Sequence, residues 1–182
     1  IVAVSLCLVC SAIISSAAVG LRDLQQANKA LDQQSKVLAS AGLLIENRSI
    51  EDLFSSIQEK IINLDTGLFV DSFEISTFDA SLIARNKETS ISLDSKVDIA
   101  ILKRRENFQK VFLHYNDKRL SSIILPVRGY GLWGTLYGYL AVEPDFQTII
   151  GLEFYQHKET PGLGAEVDNP RWKKIWKGKK IY

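Results

Sequence analysis

The segment His157-Lys-Glu-Thr-Pro-Gly-Leu-Gly164 sets an imidazole and a carboxylate just ahead of a tight turn. Pro161 presets φ at the second turn position, Gly162 supplies the positive φ of the third, and Gly164 adds further backbone freedom. Such a loop can aim backbone N–H groups at an anion or at a ring bearing carbonyl groups. His157 and Glu159 have the chemistry of an acid–base pair, although the same residues read first as a solvated turn. A second stretch, Gly129-Tyr-Gly-Leu-Trp-Gly-Thr-Leu-Tyr-Gly138, packs four glycines around Trp133. Glycine weakens a strand, and this density suits the close approach of another backbone or of a planar ligand. The residues leave two readings open: a bulged strand with Trp133 in the core, or an indole beside a flat ring.

A third stretch, Asn169-Pro-Arg-Trp-Lys-Lys-Ile-Trp-Lys-Gly-Lys-Lys180, sets six basic residues among Trp172, Ile175 and Trp176. Pro170 can open a helix capped by Asn169, with the two indoles on one face. Lipid headgroups or nucleic acid would suit such a cluster. The mixed spacing and a net charge of only +1 favour a solvated basic face over an apolar stripe, and give no bulk electrostatic case for nucleic acid. No P-loop, dinucleotide fingerprint, HExxH or nucleophile elbow occurs, so NADH binding by this chain has no support. Both cysteines, Cys7 and Cys10, lie in the first apolar run, which excludes a disulfide framework or a cysteine-ligated metal in the remainder. The two histidines are too few for a His-rich metal site, and no metal ligand set is expected.

These residues need elements to hold them. Residues 1–21 carry no charge, and a helix of that length spans about 30 Å, the thickness of the bilayer hydrocarbon. A transmembrane helix is the first reading and a signal peptide cleaved after Ala18 its rival. Residues 22–45 suggest a juxtamembrane helix or stalk, with Leu24, Leu31 and Leu38 seven apart but Asn28 and Ser35 between them. Ser49 reads as an N-cap for a helix whose apolar face is Ile50, Leu53, Phe54, Ile57, Ile61 and Leu64. Phe69-Val70 and the run from Phe73 to Phe78 read as short strands, and residues 84–110 as a charged surface excursion. Two β-rich runs, Val111 to Tyr115 and Leu120 to Val127, meet at a turn at Asn116-Asp117, and strands from Tyr137 to Val142 and from Thr148 to Tyr155 form the clearest hairpin. Helices first and meandering strands later predict an α+β domain with an antiparallel sheet, over residues 46–182.

In this order, the anchor with its Ala18-Val-Gly-Leu21 exit, Gly131-Leu-Trp-Gly134, the Tyr137 to Asp145 strand and the run Gly151 to Tyr182 resemble the FMN-binding domain of the C subunits of the Na+-translocating NADH:quinone reductases. Glu159-Thr-Pro-Gly-Leu-Gly164 followed by Glu166-Val-Asp-Asn-Pro-Arg-Trp172 is the specific part; the G subunit of the Rnf electron-transport complex shares the first element and matches the second less well. The resemblance implies a domain on the outer face of the bacterial inner membrane, held by one N-terminal helix, with the other subunits of the complex and the lipid bilayer as partners. It implies FMN as cofactor, with Trp133, Glu159, Thr160, Pro161, Gly162, Leu163 and Gly164 bordering the isoalloxazine and no residue acting as a catalytic acid or base. Electrons would pass through FMN between an iron–sulfur centre and another flavin-bearing protein of the complex, coupled to Na+ movement. In the family FMN is attached through its phosphate to a threonine of a Ser-Gly-Ala-Thr motif nearer the C-terminus. That motif is absent here, so the chain is expected to be a fragment ending before it, and the absence of Met suggests that it also begins late. A membrane-tethered binding or sensor domain without redox chemistry is the alternative from another class.

Overall fold

The computed structural model describes residues 2–182; Ile1, the first residue of the expected span, lies outside the described residues. Two compact units follow one another, the first ending at Gln33 and the second running from Gln34 to Tyr182.

In the first unit, helix α1 (Val2–Gly20) has a mean hydropathy of 2.4 and no buried residue, and is long and apolar enough to cross a membrane. Cys7 and Cys10 are free and exposed on it. Helix α2 (Arg22–Ser40) begins here and ends in the second unit. Of the leucines spaced by seven, Leu24 is exposed and only Leu38 is fully buried. The helix stops at Ser40, ahead of the expected 45, and Gly42 turns the chain with φ of 70°.

The second unit is α+β, as the order of elements predicts. Its six-stranded antiparallel sheet has the order β2-β1-β5-β6-β7-β8. The strands are β1 (Ile57–Asn63), β2 (Phe69–Val70), β5 (Phe108–Asn116), β6 (Arg119–Tyr130), β7 (Thr135–Val142) and β8 (Ile149–Gln156). Because side chains alternate across a strand, adjacent residues serve opposite faces. Phe112, Ile124, Tyr139 and Ala141 pack with Val37 and Leu38 of α2 and with Leu53 of α3 (Ile50–Phe54). Leu113, Ile123 and Val142 form a second cluster with Leu120, Leu125 and Leu140. Burying Val37 and Leu38 is worth roughly 1.5–3 kcal/mol each, which fixes the end of α2 on the sheet.

The helix expected from Ile50 to Leu64 is cut short. Ser49 caps it as predicted, accepting from Asp52 N–H at 3.1 Å, but it ends at Phe54 and the chain continues as β1. Ile57 and Ile61 are buried on that strand. A spacing of four is one helical turn and also two pleats of a strand, so both structures satisfy the pattern. The β-branched side chains and the pairing of the whole of β1 with β5, from Ile57↔His114 to Asn63↔Phe108, favour the strand. The run from Phe73 to Phe78 forms turns rather than a strand; Phe73 instead packs edge-on against Phe78 and, tilted, against Phe108. The excursion is more ordered than its composition suggests. It starts in the last turn of α4 (Ala80–Arg85) and holds a separate two-stranded sheet of β3 (Ser90–Ser92) and β4 (Arg104–Glu106). Buried Glu106 ties this sheet to the main one through Arg128 of β6 and Gln109.

Candidate functional site

Strands β6 and β7 close at the pair Tyr130↔Thr135, leaving a four-residue loop, Gly131 to Gly134, bridged by Gly131 N–H donating to Gly134 C=O at 2.8 Å. Leu132 and Trp133 stand at its tip. Trp133 is 63% exposed, so it is not a core residue of a bulged strand. The excursion passes alongside, with Ala100 C=O accepting from Tyr130 N–H at 2.8 Å.

A second loop leaves β8 at Gln156. Thr160 C=O accepts from both Leu163 N–H and Ala165 N–H at 3.1 Å, and Gly162 has φ of 75°, the positive value that the third position of a type II turn takes after Pro161. The chain then enters a 3-10 turn, η1 (Gly164–Asp168), and helix α5 (Pro170–Lys174). Asn169 caps α5 by accepting from Arg171 N–H at 2.9 Å, as its place before Pro170 predicts. Leu163 is 72% exposed, and Thr160, Pro161, Gly162 and Gly164 are exposed too.

Glu159 joins the loops. Its Oε1 accepts from Trp133 N–H at 3.1 Å. A Cβ added to Gly131 would collide with Oε1, and one added to Gly164 would come within 2.6 Å of Oε2 and 2.9 Å of Glu159 Cβ. Two glycines thus make room for one carboxylate, which accepts a charge-assisted hydrogen bond from the backbone. Lys158 lays its aliphatic stem along Gly134, where an added Cβ would lie 3.2 Å from Lys158 Cδ. Behind the site, Tyr155 stacks on Tyr139 at 5.0 Å, and burial first, then the neighbouring Tyr137, push its phenol up to about 12.

Of the residues singled out from the sequence, the structure brings Trp133, Glu159 and Gly164 into one cluster and presents Thr160 to Leu163 as the exposed rim beside it. Sequence reasoning missed Gly131 as the seat of the Glu159 carboxylate, and Asp168, which bonds His157 at 2.7 Å. Nothing in the spacing of residues 157 and 168 signals that pair, because the turn between them sets the distance.

The family described as FMN-binding domain matches residues 131–181, a range that starts at the first loop and includes the second. The C subunit of the Na(+)-translocating NADH-quinone reductase of Pseudomonas aeruginosa is 45% identical over 186 residues, covering 100% of this chain and 71% of that protein. The Vibrio vulnificus protein of the same name is 44% identical over 182 residues, with the same coverage. The crystal structure of Shewanella oneidensis NqrC superposes with a TM-score of 0.79 at 42% identity, over 86% of this chain and 72% of that one. The corresponding reductase protein from Parabacteroides distasonis gives 0.67 at 27% identity, over 89% and 71%. With relatives this similar along its whole length, the chain belongs to the NqrC family, the C subunits of the Na(+)-translocating NADH-quinone reductases.

Proposed function

We propose that this chain is a membrane-anchored electron carrier in which the isoalloxazine of FMN lies between the Gly131–Gly134 loop and the Thr160–Gly164 turn. The chain is an FMN-carrying component of a reductase complex, and the other subunits of that complex are its partners. The observation that carries the reading is the Glu159 carboxylate, which bonds Trp133 N–H and sits against Gly164, so that one side chain sets the distance between both loops. Leu132, Trp133 and Leu163 remain exposed although the loops carrying them are firmly built, which fits a flat, apolar-faced ring. When bound, FMN supplies the redox chemistry by taking up and giving up single electrons. The chain's part is to cover the ring with the Trp133 indole, to present turn backbone to its edge and to keep the loops in register through Glu159.

In this reading α1 crosses the bacterial inner membrane and the second unit lies on its outer face. The length and hydropathy of α1 support the anchor, and the confinement of both cysteines to it suits an oxidising compartment for the remainder. In the flavin-loaded protein, W133A and E159A should each shift the visible absorption of the flavin and make its fluorescence more accessible to iodide. Spectra and quenching identical to the parent in both variants would remove the slot.

A further inference from the structure

His157 directly follows β8 and is held between two partners. Its Nδ1 lies 3.2 Å from the Glu159 backbone nitrogen and its Nε2 lies 2.7 Å from Asp168 Oδ2. A backbone N–H can only donate, so Nδ1 accepts and carries no proton; the ring proton then sits on Nε2 and is donated to the carboxylate. The two partners thus select one tautomer. The bond to Asp168 also closes the base of the loop that contains the whole Thr160–Gly164 turn, since Asp168 is the last residue of η1. Asn169, next in the chain, caps α5, and α5 is itself fixed to β8 by Lys173, whose Nζ lies 2.7 and 2.8 Å from the Glu153 carboxylate oxygens.

We propose that His157 is a positioning residue for the flavin site: by holding the Glu159 backbone and the Asp168 carboxylate at once, it sets where the Glu159 carboxylate meets the Trp133 loop. The inference rests on the slot described above and adds what aligns it. Asp168 is half-exposed, so this pair contributes little to global stability. Its effect is on placement. The Trp133 N–H to Glu159 bond, at 3.1 Å, is already near the long end for such a bond, and a displacement of about 0.5 Å would break it. Removing His157 frees the Glu159 backbone two residues away and opens the loop base in the same step.

The test separates the two nitrogens. Asparagine places an acceptor where Nδ1 lies, and glutamine places an amide donor where Nε2–H lies. In the flavin-loaded protein, H157A should speed amide hydrogen exchange at Glu159 and Trp133 by about tenfold, the worth of one lost hydrogen bond, and should shift the flavin absorption. H157N and H157Q should each restore part of both signals. D168A should act in the same direction, and H157A with D168A should change them by less than the sum of the single effects, as coupled residues do. Exchange at Glu159 and Trp133 within about twofold of the parent in H157A, or a uniform rise across the domain, would overturn the inference. E159A belongs in the same series. If E159A leaves the flavin spectrum unchanged, the slot itself is wrong; if E159A shifts it and H157A does not, the slot stands and His157 has no part in aligning it.

Discussion

A methyl group at Gly131 would collide with Glu159 Oε1 and with Leu136 Cδ1, both at the far ends of side chains that can rotate away. G131A should therefore leave the fold nearly intact, at a cost of about 1 kcal/mol, while driving the carboxylate off Trp133 N–H. Thermal unfolding beside flavin absorption would show a small shift in the first and a clear change in the second. At this scale the sequence was informative where geometry is local. Pro161 and Gly162 announce their turn because φ preferences belong to single residues, and Asn169 and Ser49 announce their caps for the same reason. The Glu159 contacts with Gly131 and Trp133 were not legible, because they join residues that only the pairing of β7 with β8 brings together. The same pairing explains why glycines that look like weak points in a strand prove to be seats for a side chain from the next loop.

Between elements the tolerance is smaller. Gly151 of β8 lies under the end of α2, and a Cβ there would come within 2.5 Å of the Ser40 carbonyl oxygen, a backbone atom that cannot rotate aside. G151A should push α2 off the sheet and cost about 1–3 kcal/mol, seen as a lower urea midpoint with an unchanged slope. The contrast between G131A and G151A is a contrast between displacing a side chain and displacing a helix. Much of the element order was legible: the first apolar helix, the two hairpins of the meander and the capped helix at Pro170 all follow from apolar runs and turn residues. The helix expected to Leu64 failed because Ile57 and Ile61 satisfy two periodicities, and only β5, distant in sequence, selects between them. Residues 73–78 failed for a related reason. The apolar–polar alternation of Phe73-Glu-Ile-Ser76 imitates a strand, whereas Phe73 and Phe78 serve as anchors pinning a turn.

For the molecule as a whole, pH sets a limit that one half-buried phenol makes visible. Burial, with Tyr137 the next cause, raises Tyr155 to about 12, while in the unfolded chain it would ionise near pH 10. The unfolded chain thus releases this proton first as pH rises. The contribution of Tyr155 to stability is fully present below about pH 10 and is lost as pH climbs through the folded value. Y155F should flatten that part of the alkaline unfolding curve, measured by circular dichroism. The border of the sheet at β8 has a different consequence. The segment after α5 returns along the start of β8, with Gly178 N–H donating to Ile149 C=O, Ile149 N–H to Lys179 C=O and Ile181 N–H to Gln147 C=O. Further along, α5 straddles the same strand, with Trp172 against Phe154 on one side and Lys173 on Glu153 on the other. The start of this edge strand is therefore already paired by its own chain, and α5 lies against side chains further along it. That cover leaves less open backbone at this border for a foreign strand to pair with, which guards it against edge-to-edge aggregation.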